Sequence, residues 1–166
     1  MAEAARELSV QDRLDIQDLF ARYCWGLDTG DIDAVLACFT PDGYLQHPPQ
    51  GKCFGPDGIR QLLEELWHGR GKNWFRGRQH TGCHFVMELE DGGVRVKGFW
   101  QILQYSLDYK STFVFAIGNW DNSCVKRDGK WMFRALRVTA WVSEDTIPWD
   151  GRTGVETAAP SARLTG

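Results

Sequence analysis

Between residues 9 and 26 apolar side chains recur every three or four positions, at Leu14, Ile16, Leu19, Phe20 and Tyr23. That spacing predicts a helix with one buried face. Ser9 followed by Asp12 is a capping signal at its start, and Gly26 loosens its end. A second, short helix is predicted from Ile32 to Phe39, with Asp31 near its start. Pro41-Asp42-Gly43 reads as a turn. Tyr44 to His47 reads as a short strand, stopped by Pro48-Pro49. Gly55-Pro56-Asp57 opens a third helix with proline at its favoured first position. The apolar face of this helix is Ile59, Leu62, Leu63, Leu66 and Trp67. Residues 68 to 78 read as a basic, Gly-rich loop.

From residue 79 the period changes to two. Alternation puts Cys83, Phe85, Met87 and Leu89 on one side of a strand. His80, Gly82, His84 and Val86 fall on the other. Glu90-Asp91-Gly92-Gly93 is a hairpin turn. Further strands are predicted over 94–105, 111–125 and, after an Arg127-Asp128-Gly129 turn, 130–142. Long strands joined by tight turns make an antiparallel meander. Three helices followed by four strands predict an α+β domain over residues 1–143, with the helices packed on one side of a curved sheet. Residues 144–166 are rich in Pro, Gly, Thr and Ala and read as a tail.

Composition narrows the function. At 166 residues the chain is one domain with room for a real core. A net charge of -3 with scattered basic residues gives no reason to expect nucleic acid. No apolar run reaches the roughly 18 residues that cross a membrane. The acidic, polar N-terminus does not read as a secretory signal. Five widely spaced cysteines without a C-x-x-C point to free thiols in a reducing, cytoplasmic compartment, and against a disulfide framework or a zinc site. Eight tryptophans, nine phenylalanines and four tyrosines exceed what packing alone needs, and could wall an aromatic pocket.

Several motifs in this order carry a resemblance. They are the helix from Asp15 to Tyr23 followed by Asp28 and Asp31; Gly55-Pro56-Asp57-Gly58-Ile59; the histidine run at His80; and Gly118-Asn119-Trp120-Asp121-Asn122 leading into Arg127-Asp128-Gly129-Lys130-Trp131. Over roughly residues 8 to 143 the chain resembles the SnoaL-like branch of the nuclear transport factor 2-like superfamily. It is most similar there to the scytalone dehydratase, bile-acid dehydratase and lindane dehydrochlorinase group. The resemblance implies a cone-shaped α+β fold enclosing a pocket, a homodimer or homotrimer, and an Asp–His pair that catalyses elimination without cofactor or metal. It matches Asp28 to the family aspartate, His80 to the histidine, and Tyr23 to a position held by tyrosine or lysine. Arg137 matches a late arginine of the bile-acid enzyme. The chain departs from scytalone dehydratase on the strand after His80, which offers Trp100, Gln101 and Gln104 in place of a second histidine. His84 stands where many relatives have asparagine.

Each candidate carries two readings. Asp28 is either a helix-end carboxylate or the group that orients His80, fixing its tautomer as the aspartate of a hydrolase triad does. Tyr23 either packs or hydrogen-bonds substrate. It lies five residues before Asp28, about 140° around a regular helix, so the two share a pocket only if the chain turns after Gly26. Tyr44 has the same two readings. His84, on the same strand side as His80 and about 13 Å along, marks the pocket's far end or the sheet rim. Arg78 and Arg137 are read as pocket partners for an oxyanion, and Arg76 as surface. Trp100 and Trp120 could stack a planar ring, and Asn119 could donate to developing charge. His47 and His68 read as solvated.

The leading expectation is a cofactor-independent lyase acting on a hydroxylated aromatic or polycyclic compound. It would expel water, or a small carbonyl in a retro-aldol variant. The alternatives are an isomerase or hydrolase of a polyketide- or steroid-like ligand, and the non-catalytic small subunit of an aromatic-ring dioxygenase.

Overall fold

The capping signal at Ser9 operates as read. The Ser9 hydroxyl accepts the Asp12 N–H at 3.0 Å and opens α1, Val10–Thr29. Its buried stripe is Ile16, Leu19, Phe20, Tyr23, Gly26 and Leu27. The helix does not loosen at Gly26. That glycine lies so close to the next helix that an added Cβ would sit 2.8 Å from Val35 Cγ2. α1 stops instead at Gly30, whose φ of 76° turns the chain left-handed while the Asp31 N–H bonds back to the Gly26 carbonyl at 2.9 Å. Asp28 therefore belongs to the rigid last turn of α1.

The computed structural model describes residues 7–48, 50–68, 77–143 and 146–147. Most of the tail expected from residue 144, with Trp74 and Arg76 of the loop, lies outside the described residues. α2 is shorter than expected, Ile32–Leu36, with Asp31 accepting the Ala34 N–H at 3.0 Å. β1 spans Phe39–His47 and includes Pro41-Asp42-Gly43. Its register with the last strand shifts between Phe39 and Tyr44, so these turn-type residues form an irregularity within a strand. β2, Gly51–Phe54, folds back on β1, and α3 follows over Gly55–His68. The meander is β3 Arg78–Glu90, β4 Gly93–Ser106, β5 Ser111–Arg127 and β6 Lys130–Ala140.

The sheet order is β2-β1-β6-β5-β4-β3. Only the β1–β6 contact is parallel. The described sheet thus has six strands where the pattern predicts four at the C-terminal end and one fragment before them. The α+β architecture is as expected: among the described residues there are three helices and a curved, unclosed, mostly antiparallel sheet. α1 packs on β3 and β6, and α3 on β1. Phe133 is fully buried at the centre, with the rings of Phe20, Phe39 and Tyr23 at 4.9, 5.4 and 5.7 Å. No helix among the described residues is long and apolar enough to cross a membrane.

The start of α1 is tied to the far end of the sheet through Asp12. Its carboxylate accepts from Lys126 Nζ at 2.7 Å and Trp131 Nε1 at 2.9 Å. Hydrogen bonds from Lys126, then Ser9 and Trp131, lower its pKa from 3.8 to about 2. A carboxyl depressed on folding adds stability that is complete above its unfolded pKa and lost as pH falls through its folded one. Asp12→Asn is therefore expected to be less stable than the parent at neutral pH, with the gap closing as pH drops from 3.8 to about 2. Urea unfolding across that range checks this; a constant gap would exclude the carboxylate charge. Ser9→Ala should cost about 1 kcal/mol.

Candidate active site

Asp28 reaches from the last turn of α1 to the first residues of β3. Its Oδ1 lies 2.6 Å from His80 Nδ1, and its Oδ2 accepts the His80 backbone N–H at 2.8 Å. One carboxylate thus holds both the ring and the main chain of one residue. A carboxylate only accepts, so Nδ1 carries the hydrogen and Nε2 is the basic nitrogen of the neutral ring. Both side chains are largely buried, His80 at 13% and Asp28 at 18% exposure.

His80 forms part of the wall of a cavity of about 290 Å³ between the helices and the sheet. Leu27, Leu63 and Leu66 come from the helices, and Trp100, Ile102, Trp120 and Val138 from the sheet. The polar side chains in the described lining are Tyr23, His47, Arg78 and His80, and none of the lining residues is acidic. Two glycines make room for the tryptophans. A Cβ on Gly82 would lie 2.5 Å from the Trp120 ring, and one on Gly118 2.4 Å from Trp100. The Trp100 indole donates to the Asn119 carbonyl at 3.1 Å, and Trp120 stacks on Phe85.

Tyr23 lines the cavity and Asp28 does not: α1 continues uninterrupted to Thr29 and, with no turn after Gly26, the two share no pocket. Tyr23 looks inward, while Asp28, further round the helix, faces β3. Burial is the main cause raising the Tyr23 pKa far above 10.0, so the phenol keeps its proton. Behind the pair lies an outer groove of about 310 Å³ between α1 and β3, lined by Asp28, His80, Cys24 and Trp25. Burial pushes the Cys24 thiol up to about 12, which keeps it neutral.

Four expected pocket residues lie elsewhere. The β3–β4 register shifts between Cys83 and Val86, and His84 takes a φ of 55°. This bulge reverses the alternation. Phe85 and Met87 join the core face with His80, while His84 turns outward onto Phe99 and Cys83. Tyr44 and Arg137 occupy alternate positions to the buried Leu45 and Leu136, hence the sheet's outer face. There Arg137 donates to the Tyr44 hydroxyl at 2.9 Å and the Asp121 carbonyl at 2.8 Å. Asn119 likewise faces outward and accepts from Trp141 Nε1 at 2.9 Å. Conversely, His47 was not expected in the wall. The alternation Leu45–His47 is its signal, masked by the neighbouring prolines. Its Nδ1 sits 3.1 Å from Gln50 Oε1. Among the described residues no three His, Cys, Asp or Glu side chains converge as a metal site would require.

The chain belongs to the SnoaL-like domain family, whose model matches residues 8–137. No curated protein matches it significantly. Among solved structures it is similar to ActVI-ORFA of Streptomyces coelicolor, at 23% identity and a TM-score of 0.69, over 77% of this chain and 96% of that one. It is also similar to a scytalone dehydratase-like protein of Novosphingobium aromaticivorans, at 18% identity and a TM-score of 0.65, over 79% and 85%. A third is a Catenulispora acidiphila protein in complex with S-DNPA, at 22% and 0.67, over 78% and 95%. At identities this low the TM-scores show a shared fold alone, the cystatin-like fold.

Gly82→Ala should push Trp120 into the cavity. The expected results are a loss of about 1–3 kcal/mol in urea unfolding and altered tryptophan emission. Unchanged stability and emission would show that the ring has room to move.

Proposed function

We propose that this SnoaL-like protein is a cofactor-independent lyase for a hydroxylated aromatic or polycyclic small molecule, with His80 as the base and Asp28 as the group that orients it. The observation that carries this reading is the pair of hydrogen bonds from one carboxylate to the ring and backbone of a histidine in a mainly apolar, tryptophan-walled cavity. The likeness to a scytalone dehydratase-like protein supports elimination as the reaction class.

In a dehydration, His80 Nε2 takes a proton from carbon. The electrons of that C–H bond form the new C=C bond as the adjacent C–O bond breaks. The imidazolium then gives its proton to the departing hydroxide, which leaves as water. In the retro-aldol variant the proton comes from a hydroxyl. A C=O bond forms as the C–C bond breaks, a small carbonyl leaves, and the carbanion recovers the proton. In both, the Asp28 carboxylate stabilises the transient imidazolium. The neutral Tyr23 phenol donates to the oxygen on which charge develops.

A positioned base contributes roughly 10²–10⁴-fold in rate. His80→Ala is therefore expected to lose at least about a hundredfold in kcat. Asp28→Asn keeps an acceptor for the ring but none for the backbone N–H, and should lose activity with its fold intact. Turnover of β-hydroxylated aryl compounds followed by mass spectrometry reads this out. Loss of water or of a carbonyl fragment marks a lyase, unchanged mass an isomerase, and added water a hydrolase. Full activity in His80→Ala would remove the assignment.

A further inference from the structure

We propose that the cavity selects planar aromatic substrates bearing an anionic oxygen group, a carboxylate or phenolate, and that Arg78, two residues before the base on the same strand, holds this group. The inference deepens the reading of the site given above and rests on it.

Arg78 and His80 are alternate residues of β3, paired with Gln104 and Ile102 on β4. They share the cavity face, about 7 Å apart along the strand. Arg78 is only 9% exposed, an unusual position for a guanidinium in a wall made mainly of apolar side chains.

The guanidinium is also held in a defined plane. Its Nε donates to Gln104 Oε1 at 2.6 Å, and the Gln104 amide is itself oriented by donating to the Tyr105 carbonyl at 3.1 Å. One face of the guanidinium lies over the Phe115 ring, 4.0 Å from its centre. Phe115 reaches this position through a second irregularity. The β4–β5 register shifts between Ile102, opposite Ala116, and Leu103, opposite Val114, and Phe115 is the extra residue. A planar fork locked by a hydrogen bond and a stack is preorganised for a planar oxyanion in a way that a lysine would not be. The described lining contributes no acidic side chain, and low-dielectric surroundings strengthen any ion pair that the guanidinium forms with a bound anion. Trp100 and Trp120 complete the slot with flat apolar surface for the ring. An anion gripped by Arg78 therefore orients the ring within the slot that His80 also lines, and Arg78 decides which substrates are accepted.

Cinnamate and cinnamamide, equal in shape and differing in charge, test this by titration calorimetry on the full chain. The parent protein should bind cinnamate about tenfold or more tightly than cinnamamide. Arg78→Gln should abolish that preference by weakening cinnamate far more than cinnamamide, and Arg78→Lys should restore part of it. His80→Ala should keep the preference although it lacks turnover, which separates this proposal from the assignment of the base. Equal binding of the two compounds by the parent protein, binding of neither, or a preference that survives Arg78→Gln would overturn it. The comparison within the parent protein stands even if Arg78→Gln fails to fold.

Discussion

The arrangement depends on one carboxylate that bridges two elements distant in sequence. Asp28 ends α1, His80 begins β3, and two hydrogen bonds join them across 52 positions. The backbone bond fixes where β3 starts relative to the helix. The side-chain bond fixes the rotation and tautomer of the ring. The ladder with β4 already sets the register of β3, so the backbone bond adds a tie to the helix end, while a carboxylate bonded to the backbone alone would leave the imidazole free to turn. The left-handed stop at Gly30 and the tight seat of Gly26 on Val35 hold the helix end where both bonds can form.

The helices and the four strands of the meander are legible in the sequence because each has one buried face and a regular period. Leu62, Leu63 and Leu66, or Val94 and Val96, announce their elements directly. What is hidden is local irregularity. β1 runs through Pro41-Asp42-Gly43, residues that signal a turn, and β2 has four residues with no alternation to detect. The bulge at His84 has the same effect on the site. One extra residue carries His84 to the outer face and brings Phe85 into the core, an inversion that a strict period of two cannot anticipate.

Among the site residues, Asp28, His80, Tyr23, Arg78, Trp100 and Trp120 come together, while Tyr44, Asn119 and Arg137 build a polar and aromatic network on the opposite face. The latter three lie on strands whose inward positions are taken by Leu45, Trp120 and Leu136. Polarity and family position single them out, but the pleat decides where they point. His47 shows the reverse: a strand end next to prolines looks like a solvated loop, yet its alternation with Leu45 turns it inward.

His80 stands in a partition rather than at the bottom of a pit, with the apolar cavity on one side and the Asp28-lined groove on the other. One edge of the imidazole is thus turned toward the hollow between helices and sheet, while the carboxylate that holds it borders a separate opening between α1 and β3, so a substitution along that outer opening can reach the ring without altering the inner wall.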